Sequence, residues 1–178
     1  MVVPQEIRLG AIWTGNIQIM RMGEGVEWGL HCCLALAWIG GEEPLSTAKL
    51  AAWFELPPAY LNKRLQALVR AGVLTSTAGA RGGFRLARPP EKITLMDVVS
   101  AIEGPDEAFR CTEIRQRGAG AEAPASDFRH MCGVSVAMRR AELAWRRELA
   151  SQTLADLMAA APSSAGARAR RWHERVNG

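Results

Sequence analysis

Four side chains of metal-binding types stand in two pairs along this chain of 178 residues. Glu27 and His31 are one helical turn apart, and side chains at that spacing point the same way on a helix. Cys111 and Cys132 flank a segment rich in Ala, Gly and Pro that has no hydrophobic period. A metal or a cluster is one candidate for what holds such a loop, and a redox disulfide is another.

Taken alone, the Glu27–His31 pair is more simply explained as a helix-stabilising pair at the edge of the core, because polar side chains at this spacing are common. The same helix carries Cys32 and Cys33, which we expect to pack as small hydrophobic side chains.

A second group of side chains suits contact with nucleic acid. Between residues 56 and 90 the chain has no acidic residue and six basic ones: Lys63, Arg64, Arg70, Arg81, Arg85 and Arg88. Such segregation of charge favours phosphate as a partner, although a winged domain used only for protein contacts remains the alternative. The residues that we expect to contact DNA are Tyr60, Asn62, Lys63, Arg64, Arg81 and Arg85. Among them Asn62 suits adenine edges, whereas Lys63 suits guanine or phosphate.

Residues 45–86 predict the elements that would present these side chains. Ser46 or Thr47 can cap a first helix, and Pro58 suits the first turn of a second helix. The buried stripe of that second helix is Leu61, Leu65, Leu68 and Val69. Gly72 ends it, and a glycine-rich turn then joins two short strands. The pattern is that of a helix-turn-helix with a wing.

The remaining segments complete a fold that is mainly α with a small β-wing, namely a winged helix-turn-helix plus a long C-terminal dimerisation helix. Helices are expected at 24–39, at 93–103 with Thr94 and Asp97 as a capping box, and at 134–160. The predicted organisation is a flexible or wrongly annotated extension (1–19), the DNA-binding domain (20–106), a cluster-binding loop (107–133), the dimerisation helix (134–160) and a disordered tail (161–178).

The net charge, the lengths of the apolar runs and the number of cysteines agree with a cytoplasmic protein that binds nucleic acid. The formal net charge is +4, and no apolar run reaches membrane-spanning length or resembles a secretory leader. In the cytosol four cysteines are expected to be thiols or metal ligands rather than disulfides.

Several strings resemble the IscR/NsrR family of bacterial winged-helix regulators. They include LVRAGV at 68–73, RGGFRL at 81–86, ITLMDVV at 93–99 and EGP at 103–105. The resemblance covers about residues 20–160. It implies a transcriptional regulator, not an enzyme, that forms a homodimer through the long helix and binds a pseudo-palindromic, double-stranded operator DNA.

The loop between Cys111 and Cys132 differs from that of the best-known members, which carry three closely spaced cysteines there. It is similar instead to the RsrR-type branch, in the strings GVEWGLHCC at 25–33 and CTEIRQRG at 111–118. That resemblance implies a [2Fe–2S] cluster held by Cys111 and Cys132 of one subunit and by Glu27 and His31 of the other. His130 is a rival ligand whose simpler place is beside the site or in solvent. The implied function is that of a redox-sensing regulator, most simply a repressor.

Three alternatives stay open. The first is the same DNA-binding fold with a disulfide switch between Cys111 and Cys132. The second is structural zinc on the same four ligands, since Glu, His and two Cys also suit Zn²⁺. The third and most remote is an enzyme with Cys111 as its nucleophile and His31 as its base, for which no oxyanion site or pocket is legible. No small-molecule substrate is expected.

Overall fold

The structure, a computed structural model, describes residues 22–40, 43–79 and 81–177. The predicted N-terminal extension, residues 1–19, lies outside this part of the chain. Two short strands and seven α-helices are described: α1 (Glu24–Ile39), α2 (Thr47–Phe54), α3 (Pro58–Arg70), β1 (Leu74–Thr77), β2 (Gly83–Leu86), α4 (Leu95–Glu103), α5 (Gly133–Ser151), α6 (Leu154–Ala160) and α7 (Ser164–Asn177). Single 3₁₀ turns lie at Pro90–Lys92, Ile114–Gln116, Gly118–Gly120 and Ala125–Phe128.

Helices α2 and α3 form the predicted helix-turn-helix. The Ser46 hydroxyl caps α2 by accepting a hydrogen bond from the Lys49 amide at 3.3 Å, and Pro58 opens α3. The stripe of α3 is confirmed in its main part, since Leu61, Leu65 and Leu68 are fully buried. The left-handed backbone of Gly72 (φ +69°) turns the chain from α3 into β1.

Strands β1 and β2 pair antiparallel as the wing, with Leu74 opposite Leu86. Leu45 adds an isolated bridge to Phe84 and so ties the entry of α2 to the wing. This close approach requires glycine next to Phe84, because a Cβ on Gly83 would lie 2.4 Å from the Leu45 backbone. The wing is therefore fixed to the helix-turn-helix at its base.

Helices α1 and α4 cover the core of the winged domain. Helix α1 buries Val26, Cys32 and Cys33, and the predicted packing of the two cysteines as apolar side chains is found. Helix α4 begins with the predicted capping box, in which the Thr94 hydroxyl accepts from the Asp97 amide at 3.1 Å. None of the helices in the described ranges has the length and apolar character needed to cross a membrane.

The expected single helix at 134–160 is wrong in one respect, because the chain breaks at Gln152. That residue is extended (φ −107°, ψ 133°), and Thr153 starts α6 with its own capping box to Asp156. The backbone of the break pairs with the start of α4: the Leu95 amide donates to the Gln152 carbonyl, and the Leu154 amide donates to the Ile93 carbonyl, both at 2.9 Å. The break thus buries Leu154 completely.

The expectation of a disordered tail at 161–178 is also wrong, because Ser164–Asn177 forms helix α7. Ala165, Ala169 and Trp172 recur at helical spacing; the two alanines are buried, and the Trp172 ring lies 4.6 Å from that of Trp53. An Arg170 guanidinium nitrogen donates to the Trp38 carbonyl of α1 at 3.3 Å. Ala and Arg are strong helix formers, and this apolar stripe gives the helix a surface on α1 and α2.

Candidate DNA-binding surface and sensing site

The first half of α3 presents three of the predicted DNA contacts to solvent. Tyr60, Asn62 and Lys63 are exposed. The Asn62 side-chain oxygen accepts a hydrogen bond from the Thr47 hydroxyl at 3.3 Å, which orients the amide across the turn between α2 and α3. These three side chains are thus oriented away from the core, as base or phosphate contact requires.

Arg64 differs from its neighbours because its guanidinium is partly enclosed between α3 and α1. It donates to the Tyr60 hydroxyl at 2.8 Å and lies 5.0 Å from the centre of that ring. A Cβ on Gly25 would lie 2.6 Å from Arg64 Nε, so glycine at position 25 lets the guanidinium pack closely against α1. Nε is buried and finds no hydrogen-bond partner among the described residues.

The two wing arginines lie at different places. Arg81 is exposed in the turn between the strands, and Arg85 is exposed on β2, where its Nε donates to the Thr75 hydroxyl at 3.3 Å. The six predicted contact residues therefore lie on α3 and on the wing, the two parts of a winged helix that can meet DNA.

Glu27 and His31 lie side by side on α1, and both are exposed. The His31 ring is 5.9 Å from the ring of Phe54. Within the part of the chain that the structure describes, neither side chain makes a hydrogen bond or an ion pair. A helix-stabilising Glu–His pair, the simpler explanation of the spacing, is therefore not what the side chains form here.

Cys132 lies at the N-terminus of α5, where the helix begins. Backbone N–H groups of Ser135 and Val134 donate to its sulfur and lower its pKa, and the charge of Arg115 acts in the same direction. Cys132 is nearly buried in the chain, whereas Cys111 is exposed. All four cysteines, including this pair, are free thiols in the structure.

Arg115 is the residue that joins the two cysteine segments, and the sequence analysis missed its role. Its guanidinium forms an ion pair with Glu113, donates to the His130 carbonyl at 3.1 Å and lies 5.5 Å from the centre of the Phe128 ring. The pKa of Arg115 is raised chiefly by the Glu113 hydrogen bond and further by both thiols, Cys132 and Cys111. The His130 side chain is exposed beside this link.

One chain does not bring the four predicted ligands together as one set: Glu27 and His31 lie on α1, whereas Cys111 and Cys132 lie at the two ends of the loop before α5. In residues 22–40, 43–79 and 81–177 no three His, Cys, Asp or Glu side chains are grouped closely enough to hold a metal ion. Each pair nevertheless fits half of a cluster site. The sulfur of Cys132 is held by backbone donors that favour the thiolate, the form that binds iron, and the α1 pair offers an imidazole and a carboxylate that make no hydrogen bond or ion pair with any described residue.

Helix α5 carries apolar side chains on a surface that no other described element covers. The exposed ones are Val134, Val136, Met138 and Leu143, and Ile114 and Met131 of the preceding loop are exposed as well. The buried face of α5 carries Ser135 and Glu142, and Glu142 pairs with Arg146 at 2.7 Å. The prediction had included Val134 and Met138 in the apolar stripe but not Val136 or Leu143.

These features define a winged-helix transcriptional regulator, a DNA-binding protein and not an enzyme. The chain belongs to the Rrf2 family: the family description "Rrf2: Iron-dependent Transcriptional regulator" matches residues 22–160. The predicted family resemblance and the fold class are thereby confirmed, and the enzyme alternative with Cys111 and His31 is dropped. Helix α7 lies beyond the matched residues.

Known relatives agree with this assignment. Protein rrf2 of Nitratidesulfovibrio vulgaris is 33% identical over 139 residues, which are 78% of this chain and 87% of that protein. The structure of CymR (YrzC), the global cysteine regulator of B. subtilis, superposes with a TM-score of 0.60 and 26% identity over 81% of this chain and 100% of that one. T. potens IscR, at 23% identity, shares the fold with a TM-score of 0.60 over 82% of this chain and 90% of its own.

Proposed function

We propose that this chain is a homodimeric, cytoplasmic repressor that binds operator DNA and senses redox state through a [2Fe–2S] cluster. Cys111 and Cys132 of one subunit and Glu27 and His31 of the other would hold the cluster. Two features of each chain support the proposal: Glu27 and His31 lie side by side and exposed on α1, and Arg115 links the segment after Cys111 to the segment before Cys132. The strings around both pairs resemble the RsrR-type branch, which supports the same ligand set.

A second copy of the chain is the occupant that the α5 surface fits. Its exposed apolar side chains lie next to the cysteine loop, at Val134 and Met138, and Ile114 and Met131 extend the surface onto the loop itself. A self-complementary contact of this kind is the usual way in which a soluble regulator buries such a surface. It would bring the loop of one subunit to its partner, as a shared site requires.

The four proposed ligands differ in how much charge they donate to iron. The two thiolates supply soft, anionic donors, whereas the imidazole of His31 and the carboxylate of Glu27 donate less charge to iron. The bound cluster would supply one-electron redox chemistry.

Helix α1 links the sensing face to the DNA-binding residues. Glu27 lies between Gly25, which contacts Arg64, and Trp28, whose ring meets Tyr60 edge-on at 5.0 Å. A change of charge at the α1 face would therefore act on two residues of α3. We propose that the oxidised state keeps the two α3 helices of the dimer at operator spacing and that reduction weakens this arrangement.

On DNA, Asn62 and Lys63 would contact bases or phosphates from α3, and Arg81 and Arg85 would contact phosphate or the minor groove from the wing. Tyr60 would contact the same groove, and Arg64 would act mainly by holding Tyr60, because its guanidinium is already engaged. A duplex selected by the protein from a random pool provides the probe. In fluorescence anisotropy, Lys63→Ala should weaken binding and reduce the salt slope by about one unit. Lys92→Ala, outside this surface, should change neither.

The first test of the cluster is the visible spectrum of protein purified without oxygen. Absorption between about 400 and 600 nm that bleaches with dithionite, with equal iron and sulfide, is expected for this cluster type. Glu27→Ala and His31→Ala should change the spectrum or lose iron, whereas Glu24→Ala, an exposed acidic residue in the first turn of the same helix, should do neither. A colourless protein that holds zinc would contradict the proposal and favour a structural site.

Mixed dimers test whether the site is shared between subunits. One chain carries Glu27→Ala with His31→Ala, the other carries Cys111→Ala with Cys132→Ala, and different tags isolate the heterodimer. A shared site predicts one complete ligand set per heterodimer, hence half the iron of the wild-type dimer, and none in either homodimer. Ligand sets confined to one chain would leave the heterodimer without iron.

A thiol switch is the second candidate, and a specific observation favours it. Arg115 links Glu113, near Cys111, to the His130 carbonyl, near Cys132, and the related structure of CymR is that of a cysteine regulator. This alternative needs no iron and gives Glu27 and His31 no role. Oxidation of metal-free protein would then form a Cys111–Cys132 disulfide and change operator affinity, whereas Glu27→Ala would leave that response intact.

A further inference from the structure

The loop between α4 and α5 has no regular element longer than one 3₁₀ turn, and yet it brings the segments that carry Cys111 and Cys132 to one guanidinium, that of Arg115. Three contacts account for that placement. Arg115 pairs with Glu113, two residues after Cys111, and donates to the carbonyl of His130, two residues before Cys132. The Phe128 ring lies under the same guanidinium. One side chain thus connects the two ends of the loop.

The backbone around Arg115 is also tightly folded. Glu113 has a left-handed conformation (φ 50°, ψ 48°), which few residues other than glycine adopt and which turns its carboxylate back toward Arg115. A Cβ on Gly120 would lie 1.7 Å from the Arg115 carbonyl oxygen, so the chain returns directly over this residue. The loop is a compact unit built on Arg115.

We propose that Arg115 is a positioning residue that closes the cysteine loop and holds the Cys111 and Cys132 sulfur atoms close together before any ligand binds. The placement of the two thiols is a property of the metal-free chain. The identity of the group that the two thiols bind rests on the proposed function above. The closed loop reduces the entropy that a bound ion or cluster must otherwise overcome when it orders two distant cysteines.

Arginine suits this task better than lysine would. Its planar fork can serve a carboxylate and a carbonyl at once and still stack on an aromatic ring, whereas an ammonium offers one point of charge. Arg115→Lys should therefore keep the charge near the sulfur atoms but hold the loop less well. The two effects of Arg115, closure of the loop and charge, can be measured separately.

A trivalent arsenical such as phenylarsine oxide, which needs two neighbouring thiols, measures closure without iron. The experiment uses reduced, metal-free protein carrying Cys33→Ala, so that the α1 cysteines do not compete. Arg115→Gln should weaken binding by about tenfold or more, as expected when hydrogen bonds to a charged group are lost. Arg117→Gln removes the same charge two residues away from an exposed position and is the matched control. It should bind as the wild type does.

The proposal is overturned if Arg115→Gln and Arg117→Gln bind the arsenical equally well, or if the wild type binds it no better than Arg115→Gln does. Glu113→Gln, which removes a single contact, should give a smaller loss in the same direction and guards against misfolding of the arginine variant. Tight arsenical binding by a wild type that never takes up iron would refute the cluster and leave Arg115 in this role.

The reduction potential gives a readout that a purely structural role would not move. In protein loaded with the cluster, the positive charge facing both thiolate ligands favours the reduced, more negative state. Arg115→Gln should make the potential more negative, and Arg115→Lys should restore it in part, while Arg117→Gln shifts it less. Equal shifts in the two glutamine variants would contradict an action of Arg115 on the sulfur atoms.

Discussion

The chain contains two pairs of cysteines whose surroundings are opposite. Cys32 and Cys33 lie on α1 with no exposed surface, and burial raises the pKa of Cys32 to about 12 and that of Cys33 further. Cys111 and Cys132 flank a surface loop, and backbone donors together with Arg115 lower the pKa of Cys132. The first pair is kept as neutral thiols inside the core, whereas Cys132 of the second pair lies in surroundings that favour the thiolate.

The difference teaches that residue type alone does not assign a role to a cysteine. The adjacent pair on α1 is the more conspicuous in the sequence, and it stands in the same string as Glu27 and His31. The structure nevertheless gives it only apolar neighbours in the core cluster. A thiol buried in this way is inert as a ligand and acts as a small hydrophobic side chain.

The largest expected effect separates the two pairs by their iron content. Cys132→Ala should abolish the visible absorption and the bound iron of anaerobically purified protein, because a thiolate ligand is lost. Cys32→Ala should retain both, since its sulfur is enclosed in the core and reaches no loop. Iron and sulfide assays on the two purified variants decide the matter. Loss of iron in Cys32→Ala, with Cys132→Ala unchanged, would reverse the assignment.

A smaller effect is expected on the stability of the metal-free protein. Here the larger loss is expected for the pair on α1 and the smaller loss for the pair at the loop. Cys33→Ser places a hydroxyl in an apolar site and should lower the free energy of unfolding by about 1–3 kcal/mol. Cys111→Ser, at an exposed position, should change it by less than about 0.5 kcal/mol. Urea unfolding followed by circular dichroism gives both values. Equal losses would mean that the two regions are packed alike in solution.

Much of the winged domain was predictable because its signals are local. The boundaries of α1 follow from Gly40 and the apolar spacing before it, and the cap of α4 follows from the pair Thr94 and Asp97. Both features involve residues within one turn of each other. The same holds for Gly72, which ends α3 because a left-handed residue is needed there.

What could not be predicted depends on contacts between distant segments. At the break the backbone of Gln152 and Leu154 pairs with that of Leu95 and Ile93, and Leu154 is buried in the core. The order of α7 depends on Trp172 meeting Trp53, more than 100 positions away in the sequence. Composition suggested disorder where tertiary packing supplies the stability of the helix. At the candidate site, the residue types of both pairs were legible, but the link through Arg115 was not, since it joins Glu113 to the carbonyl of His130.

The smallest effect is the dependence of stability on alkaline pH, which tests the burial of Cys32. The pKa of this thiol is 9.0 in its ordinary state and about 12 in the fold. Below pH 9 the thiol is neutral in both states, so its contribution to stability is fully present. As the pH rises from 9 toward 12, the unfolded chain releases the proton and the folded chain does not, so stability falls.

Cys32→Ala lacks that proton, and its unfolding free energy should therefore decline less steeply than that of the wild type over the same range. The remaining ionisable groups are common to both proteins. Burial also raises the pKa of Cys33, so this thiol retains part of the pH dependence of stability in the variant. Urea unfolding at intervals between pH 7.5 and about 10.5 covers the region in which the two curves diverge first. Parallel curves would mean that water reaches Cys32 in the native protein, and the contrast between the two cysteine pairs would then rest on Cys33 alone.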